Sequence, residues 1–273
     1  MNPCRGCEKR QDVSESRRTE DLAEETTPGP GLMVIGDEIL SGRRQDAHLT
    51  HVIGRLRERG LELAWARFVG DDAAALIRHF TQTLAEGRPV FCFGGIGSTP
   101  DDRTRQCLAK AAGVPLIRHP DAVREIEARF GDAAWPIRVL MADWPQGSEM
   151  VPSPVNRIPG FHFRDHFALP GFPELAWPML DWVLEHHFPP SRSPERLRCL
   201  RIDGVGESRV VLPMRRVVER FPQVRCASLP RLGADAHILL SVRGRGLDVD
   251  AAFDGLGAEL TADGIVWRVC AEG

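Results

Sequence analysis

Short apolar runs alternate with amphipathic stretches along the first two thirds of the chain. Three runs read as strands, namely Leu32–Ile35, Leu61–Val69 and Pro89–Phe93. Between the first two, over residues 46–59, apolar residues recur at the spacing of one helix face. Strands that alternate with helices of this length are typical of βαβ units, so the pattern predicts an α/β fold with a mainly parallel sheet.

The same reasoning places the remaining elements of this part of the chain. In the helix over 46–59, Leu49, Val52, Ile53 and Leu56 form the predicted buried face, and Gly60 stops the helix. Further expected elements are a helix opened by Gly70-Asp71-Asp72, a helix ending at Gly113, a strand at Val114–Ile117, a helix over 121–130, a strand at Phe167–Leu169 and a helix over 174–187.

A second, smaller domain is expected beyond a proline-rich linker. Pro189-Pro190-Ser191-Arg192-Ser193-Pro194 is the clearest linker of the chain. The pattern after it predicts strand, helix, strand, strand, helix, strand over 197–202, 207–221, 223–229, 236–243, 248–261 and 264–270, which is a ferredoxin-like α+β module. The predicted organisation is a disordered leader over 1–30, an α/β domain over 31–188, a linker over 189–196 and a small domain over 197–273.

Composition narrows the class of protein. The chain has 273 residues and a formal net charge of −3, which argues against coating nucleic acid by bulk electrostatics. Between Arg192 and Arg245 twelve arginines stand against five acids, a pattern that fits an anionic ligand or RNA but is better explained by a solvated face, because aromatics that would stack on bases are nearly absent. Nucleic acid is therefore an unlikely partner.

The cysteines and the apolar runs suggest a cellular compartment. Seven cysteines lie mostly in apolar runs, and the chain shows no secretory signal, so we expect a reducing cytoplasm. Cys4 and Cys7 have the spacing of half a zinc knuckle, but the other cysteines supply no second close pair. No run reaches the ~20 residues of a membrane span, so no membrane association is expected.

The stretch from Gly94 to Thr104, which reads GGIGSTPDDRT, carries most of the candidate chemistry. Glycines between a strand and a helix let the backbone approach a ligand and expose N–H groups, and neighbouring carboxylates can hold a metal ion. A structural explanation stands beside this one: Thr99 as helix N-cap, proline at the first helical position and Asp102 reaching back would form a capping box. That role for Asp102 leaves Asp101 as the better candidate for chemistry.

Two further acidic turns follow predicted strands: Gly36-Asp37-Glu38 and Gly70-Asp71-Asp72. Successive parallel strands end at one edge of a sheet, so we expect these turns to lie together with the Gly94–Thr104 stretch. Each acid alone is equally well explained as a helix cap. The glycines match neither a phosphate-binding loop with Gly-Lys-Ser/Thr nor a Gly-x-Gly-x-x-Gly dinucleotide motif, and no Gly-x-Ser-x-Gly elbow is present.

These motifs resemble the MoaB/Mog-like molybdopterin-binding domain family, and most closely the N-terminal part of CinA-type competence/damage-inducible proteins. The resemblance rests on Gly36–Gly42 with Asp46, Val69–Asp72 and Gly94–Thr104. The segments Pro152–Asn156, Pro159–Phe161 and Leu169–Pro173 follow in the same order. In the smaller domain, Gly204–Ser208 and Ser228–Arg231 look like the small middle domain of these proteins, so the resemblance spans about residues 31–265.

The resemblance implies a three-layer αβα fold that binds a phosphorylated pterin or nucleotide across the Gly-rich turn. By analogy, Asp37, Asp71 and Asp101 are the expected catalytic residues, and Asp71, Asp101 and Asp102 the expected ligands of Mg²⁺ or another divalent metal. Molybdopterin is then a ligand rather than a cofactor, and a homo-oligomer is expected. The expected ligand-binding residues are Gly36, Ser41, Gly42, Gly94, Gly95, Gly97, Ser98, Thr99, Pro170 and Gly171.

Three hypotheses follow. In the first, the protein binds a phosphorylated pterin in or near molybdenum cofactor biosynthesis. In the second, it is a divalent-metal-dependent pyrophosphatase that acts on ADP-ribose or FAD, since a metal polarises phosphoryl oxygens and supplies a bound hydroxide. In the third, it is a non-catalytic module that binds a partner.

The sequence also departs from the CinA-type pattern. Ser98 stands where proline is usual, and His48 stands where asparagine is usual. The amidohydrolase domain of full-length CinA proteins has no counterpart here, so nicotinamide-nucleotide deamidation is not expected.

Overall fold

The computed structural model describes residues 29–191 and 194–270. The predicted leader with Cys4 and Cys7, and part of the predicted linker, lie outside these residues. The described chain divides into two compact units, one made of residues 29–45 and 63–172 and the other of residues 46–62 and 173–270. This division assigns 46–62 and 173–188 to the second unit, whereas the pattern assigned them to the first domain, and the predicted domain boundaries stay a prediction.

The first unit contains eight strands and four α-helices among the described residues. The strands are β1 (Gly31–Ile35), β2 (Trp65–Val69), β3 (Val90–Phe93), β4 (Leu116–Arg118), β5 (Asp143–Pro145), β6 (Glu149–Val151), β7 (Gly160–Phe163) and β8 (His166–Leu169). The helices are α1 (Asp37–Leu40), α3 (Ala73–Glu86), α4 (Thr104–Ala112) and α5 (Pro120–Phe130), and two 3₁₀ turns cover Gly131–Ala134 and Arg138–Ala142. The label α2 belongs to a helix of the second unit, His48–Glu58.

Six strands of the first unit form one sheet, in the order β2-β1-β3-β8-β7-β6. The first four are parallel to one another, and β7 and β6 add an antiparallel edge. The predicted mainly parallel sheet is therefore confirmed. The pattern missed β6 and β7 because both lie in the proline-rich segment after residue 132, and each strand has no more than four residues.

One face of this sheet packs on the amphipathic helices that follow its strands. Met33 and Ile35 from β1 and Cys92 from β3 join Leu76 and Phe80 from α3 in a single buried cluster. Their period-two spacing along the strands meets the three- and four-residue spacing along the helix, as the sequence pattern required. Burial of these side chains holds the strand ends in fixed positions.

The second unit contains helices α2 and α6 (Pro173–His187) and an antiparallel sheet with two further helices. Its elements are β9 (Arg196–Asp203), a 3₁₀ turn (Glu207–Arg209), α7 (Val211–Arg220), β10 (Arg225–Arg231), β11 (His237–Gly244), α8 (Asp248–Ala262) and β12 (Arg268–Val269). The sheet order β10-β11-β9-β12 and the antiparallel pairing match the predicted ferredoxin-like pattern. The last strand, predicted over 264–270, has only two residues.

Several predicted boundaries are wrong for local reasons. The strand predicted from Leu61 begins at Trp65, because the Gly60 and Leu61 amides still donate to carbonyls at the end of α2. On α2 itself Ile53 is 47% exposed, whereas His48 is buried in the inward position beside Val52. The strand predicted at 114–117 is β4, which pairs with β5 in a separate two-stranded sheet.

Of the helices in the described chain, none combines the length and the apolar character that crossing a lipid bilayer requires.

Candidate functional site

Four parallel strands end at one edge of the first unit's sheet, and the predicted site residues follow them. Gly36 and Asp37 follow β1, Asp71 follows β2, the Gly-rich turn follows β3 and Pro170-Gly171 follows β8. Because β2, β1, β3 and β8 are neighbours in that order, their turns lie side by side. The expected convergence of these turns is therefore present in the structure.

Asp37 and Asp71 are joined by two hydrogen bonds, each from the backbone amide of one residue to the carboxylate of the other. The Asp37 amide donates to Asp71 Oδ2 at 2.9 Å, and the Asp71 amide donates to Asp37 Oδ1 at 3.1 Å. A side chain at Gly70 would place its Cβ 2.4 Å from Asp37 Oδ1, so glycine is required there by this close approach. Two turns that are 34 residues apart in the chain are thus joined at the edge of the sheet.

Asp71 and its neighbour Asp72 have different roles. Asp72 is the N-cap of α3 and accepts a hydrogen bond from the Ala75 amide at 2.8 Å. The sequence left open which of the two acids caps the helix, and the structure assigns the cap to Asp72. Asp71 is therefore available to face the other acidic turns.

The pKa of Asp71 reflects the other acids at this edge of the sheet. Burial raises the pKa of the Asp71 carboxyl above its usual value, and the charges of Asp37, Glu38 and Asp101 raise it further. The hydrogen bond from the Asp37 amide opposes this rise. Asp101 is thus close enough to act on Asp71, although it follows a different strand.

Contacts within the protein require glycine at three positions of the turn after β3. A Cβ at Gly94 would lie 2.2 Å from the Ile35 carbonyl oxygen, one at Gly95 would lie 2.3 Å from the Thr104 hydroxyl, and one at Gly97 would lie 2.4 Å from Asp102 Oδ2. Gly94 and Gly95 also have φ of +105° and +68°. These contacts give each glycine a packing reason, and its predicted role in ligand binding stays a prediction beside it.

The carbonyl groups of this turn are drawn toward the start of α4. The Thr104 hydroxyl donates to the Gly94 carbonyl at 2.8 Å, and the Thr104 amide donates to the Gly95 carbonyl at 3.0 Å. The Arg105 guanidinium donates to the Gly97 carbonyl. Both Thr104 and Arg105 are buried, so these bonds point into the protein.

Because the carbonyls of this turn point into the protein, the amides of the same peptide planes point outward. In a trans peptide the N–H points opposite to the C=O of the same plane, so the amides of Gly95, Ile96 and Ser98 point away from Thr104 and Arg105. Within the described chain none of these three amides takes part in a hydrogen bond. Neighbouring free N–H groups on one side of a turn form the kind of concavity that binds anions. We call these three amides the nest.

Thr99 to Asp102 form a separate turn, not the start of a helix. The Asp102 amide donates to the Thr99 carbonyl at 3.1 Å, and Asp102 Oδ2 accepts from the Thr99 amide at 2.9 Å. The reach of Asp102 back to Thr99 was predicted correctly, but the predicted helix start at Pro100 is wrong: α4 begins four residues later, at Thr104. Asp102 is held in this turn by Thr99, and its role as a metal ligand stays a prediction.

Asp101 is exposed and ionised readily. The nearby Thr99 side chain and its own backbone amide lower the pKa of the Asp101 carboxyl, and the Arg103 charge adds to this effect. Asp101 and Asp71 thus differ: one is an exposed carboxylate with a lowered pKa and the other a half-buried carboxyl with a raised pKa.

Arg105 is a residue of the candidate site that the sequence did not reveal. Its side chain is 3% exposed and donates to the carbonyls of Leu140 and Asp143 as well as Gly97. Its Nε has no hydrogen-bond partner, and burial lowers the pKa of the guanidinium. No sequence signal marks it, because an arginine in the first turn of a helix usually faces water.

The remaining predicted ligand-binding residues lie in the turns after β1 and β8. Gly171 packs so closely on Gly94 that a Cβ on it would lie 3.3 Å from the Gly94 Cα. Ser41 and Gly42 are exposed in the turn after α1, where the Ser41 hydroxyl accepts from Arg43 at 3.1 Å. Beside them Arg44 lies over the ring of Phe172, 5.0 Å from its centroid, and this ring is 57% exposed. Sequence reasoning missed the pairing of Arg44 with Phe172.

Asp46 and His48, which belong to the second unit, have structural roles. Asp46 accepts hydrogen bonds from the amides of His48 and Leu49 at 2.9 and 3.0 Å, so it caps α2. His48 is buried. The carboxylate at Asp46 is therefore used by its own helix.

No metal centre is preformed at the edge of the sheet. In the described chain, no three His, Cys, Asp or Glu side chains there bring their ligand atoms within 4.8 Å of one another. Asp71, Asp101 and Asp102 thus remain predicted metal ligands, with donor oxygens of the right kind but no closed site.

Comparison with known proteins places this edge in a family. Residues 31–189 match the family described as "Probable molybdopterin binding domain". The chain belongs to this family. The matched range contains all four turns of the candidate site.

Individual relatives agree with the family match. The chain is 32% identical over 247 residues to a CinA-like protein of Koribacter versatilis, covering 84% of this chain and 58% of that protein. It is 30% identical over 265 residues to a CinA-like protein of Anaeromyxobacter sp. (strain Fw109-5), covering 89% and 64%. The chain therefore spans about three fifths of the length of these curated relatives.

A solved structure supports the fold. The protein CinA of Thermoplasma acidophilum, described as being of unknown function, aligns with a TM-score of 0.54 and 27% identity. The alignment covers 58% of this chain and 96% of that one. The predicted resemblance to CinA-type proteins is thus confirmed.

Proposed function

We propose that this protein binds a phosphorylated pterin, with the phosphate on the nest. The observation that carries the proposal is the orientation of the Gly94–Ser98 backbone: its carbonyls are held by Thr104 and Arg105, which leaves the amides of Gly95, Ile96 and Ser98 free. Free amides in a fixed array bind an anion without first breaking bonds of their own. The family membership supports a pterin as the body of the ligand.

Phe172 and Arg44 suit the planar part of such a ligand. The Phe172 ring is 57% exposed in the turn that follows β8, and the Arg44 guanidinium lies over it. An exposed aromatic ring beside a guanidinium offers faces on which a flat heterocycle stacks. A pterin seated there would have its phosphate directed to a neighbouring turn of the same edge.

The acids favour a second candidate function, a divalent-metal-dependent pyrophosphatase acting on ADP-ribose or FAD. An anion on the nest would stand near four acids, since burial together with the charges of Asp37, Glu38 and Asp101 raises the pKa of Asp71. A divalent cation on Asp71 and Asp101 would relieve the repulsion between these charges and polarise phosphoryl oxygens. Asp37 would orient Asp71 through its backbone hydrogen bonds.

Calorimetric titration separates the two functions. The protein is titrated with a pterin phosphomonoester, with the same pterin lacking the phosphate, and with AMP, each with and without Mg²⁺. In parallel, ADP-ribose and FAD are incubated with the protein and Mg²⁺ or Co²⁺, and AMP release is followed. Phosphate-dependent pterin binding without AMP release supports the first function; AMP release supports the second.

Ser98 offers the sharpest variant. Ser98→Pro removes one nest amide at a position where the CinA-type pattern itself has proline, so the fold should tolerate it, whereas Ser98→Ala keeps the amide and removes only the hydroxyl. We expect Ser98→Pro to weaken binding of the pterin phosphomonoester by about tenfold to a hundredfold, the value of one hydrogen bond to a charged group. Equal affinities for all three proteins would argue against the nest.

A further inference from the structure

Cys199 and Cys270 face each other across an antiparallel strand pair of the second unit. β12 pairs with β9 so that Arg268 is opposite Arg201 and Val269 is opposite Leu200. The next position of this register puts Cys270 opposite Cys199, and the Cys270 amide donates to the Cys199 carbonyl at 2.9 Å. Directly opposed residues have their side chains on the same face of the sheet.

The distance between the two positions suits a covalent bond. The Cα atoms of a hydrogen-bonded antiparallel pair lie about 5.5 Å apart, and disulfides bridge Cα distances of about 4.4 to 6.8 Å. The Cys199 thiol donates to the Leu200 carbonyl at 3.8 Å, and the Cys270 thiol is near enough to help raise the pKa of Cys199. Both cysteines are half-buried, so a small reagent can reach them, whereas Cys92 and Cys107 are buried.

We propose that Cys199 and Cys270 form an oxidation site that closes to a disulfide and fastens β12 to β9. The oxidant is a low-molecular-weight disulfide. The Cys270 thiolate attacks one sulfur of that disulfide and expels the first small thiolate. The Cys199 thiolate then attacks the Cys270 sulfur and expels the second, so that two electrons and two protons pass from the protein to the small disulfide.

The order of the two attacks follows from the surroundings. Burial, together with the nearby Cys270 thiol, raises the pKa of the Cys199 thiol to about 12. Because the thiolate is the attacking species, Cys199 reacts slowly with a small disulfide at neutral pH. It therefore acts second, as the residue that resolves the mixed disulfide on Cys270. It does so within contact distance of its target, which compensates for its low thiolate fraction.

The bond would act on the least extensive strand of the sheet. β12 has two residues and lies at the edge, where it is tied by its pairing with β9 and by an ion pair between Arg268 and Asp203 at 3.2 Å. Just before it, the Trp267 indole donates to the Gly257 carbonyl of α8 at 3.0 Å. A disulfide at 199–270 would close a loop that contains most of the second unit, and long loops gain most from closure.

The experiment uses the full chain with Cys4→Ser and Cys7→Ser, so that the N-terminal pair contributes nothing. The protein is incubated with oxidised glutathione, alkylated with iodoacetamide and mapped by mass spectrometry, and its Tm is measured before and after dithiothreitol. We expect a peptide linked through Cys199 and Cys270, and a Tm higher by about 5 °C or more that dithiothreitol reverses.

Single variants decide between this site and general thiol reactivity. Cys270→Ser and Cys199→Ser, each in the same background, should lose the linked peptide and the Tm increase, while Cys226→Ser, altered at another half-buried cysteine, should keep both. The proposal is overturned if glutathione stays attached to Cys270 without closure, or if the bridge involves Cys226. It is also overturned if the linked protein has an unchanged Tm.

Discussion

Asp37 and Asp71 each accept a hydrogen bond from the backbone amide of the other, which joins the turns after two neighbouring parallel strands. Because each carboxylate is fixed by an amide, neither can turn away from the other acids. The edge of the sheet thus holds negative charge close together in a fixed geometry. We expect this arrangement of charges to lower the free energy of unfolding at neutral pH.

Asp71→Asn should stabilise the protein at neutral pH. The folded pKa of Asp71 is raised, so its contribution to stability is full below the unfolded pKa and is lost as pH rises through the folded value. Asparagine keeps the acceptor for the Asp37 amide and removes the charge, and we expect a Tm about 1 to 3 °C higher at pH 7. Asp71→Ala is the control: it also loses the acceptor and should be less stable than Asp71→Asn by about 1 kcal/mol. A lower Tm for Asp71→Asn than for the unaltered protein would contradict this account.

Gly94→Ala should be among the most destabilising single changes in the chain. The added Cβ would meet the Ile35 carbonyl oxygen at 2.2 Å, and φ at this position is +105°. We expect a loss of more than about 3 kcal/mol in the free energy of unfolding, measured in urea. Gly113→Ala tests the backbone contribution alone, because φ there is +69° and nothing lies within 4 Å, and should cost about 1 kcal/mol. Similar losses for both variants would rule out the clash.

Arg105→Met should damage both the fold and the nest. The guanidinium donates to three backbone carbonyls, and methionine fills the space without donating, so we expect a loss of about 2 to 4 kcal/mol in unfolding experiments. Affinity for the pterin phosphomonoester should fall about tenfold, because the peptide between Gly97 and Ser98 is no longer held. Arg103→Met is the matched control, since Arg103 is exposed and donates only to Pro100. If Arg105→Met unfolds too easily for titration, Arg105→Lys should recover part of the stability and show the affinity loss; unchanged affinity would remove Arg105 from the site.

Stability of the second unit should fall as pH rises through 7. Burial, with the neighbouring Glu62 carboxylate, raises the pKa of Glu195 to about 7, while Arg243 and Arg225 oppose the rise. The proton on Glu195 therefore stabilises the folded state below this pH and is lost above it. We expect the Tm to drop by several degrees between pH 6 and pH 8, and Glu195→Gln to flatten this dependence. A profile that Glu195→Gln leaves unchanged would assign the pH effect to other groups.

The sequence predicted those features that depend on local patterns. Alternation of strands and helices gave the parallel strands, and the ferredoxin-like order followed from six short elements, because both rest on periodic burial. The acidic turns were placed together correctly because parallel strands end at a common edge. The resemblance to CinA-type proteins was confirmed by the family match.

The rest depended on contacts between distant residues. Nothing in the pattern separates Asp72, which caps a helix, from Asp71, which bonds to a residue 34 positions away. The start of α4 was misplaced because Thr99-Pro100-Asp101-Asp102 satisfies a capping box by itself, yet forms a closed turn before the helix. The burial of Arg105 could not be predicted from the sequence, because it depends on Leu140 and Asp143, which come more than thirty residues later.

Thr104 and Arg105 hold the Gly-rich turn entirely from its inner side. Ser98, Thr99 and Asp101, on the outer side, are at least partly exposed, and none of them donates or accepts a bond to the two anchoring residues. The buried residues on the inner side therefore fix the backbone of the turn, whereas the residues on the outer side are exposed to solvent. Substitutions on the outer side can therefore alter the surface that the proposed anion would meet while the bonds to Thr104 and Arg105 stay the same. The exposed side of the turn is thus free to vary at little cost to folding.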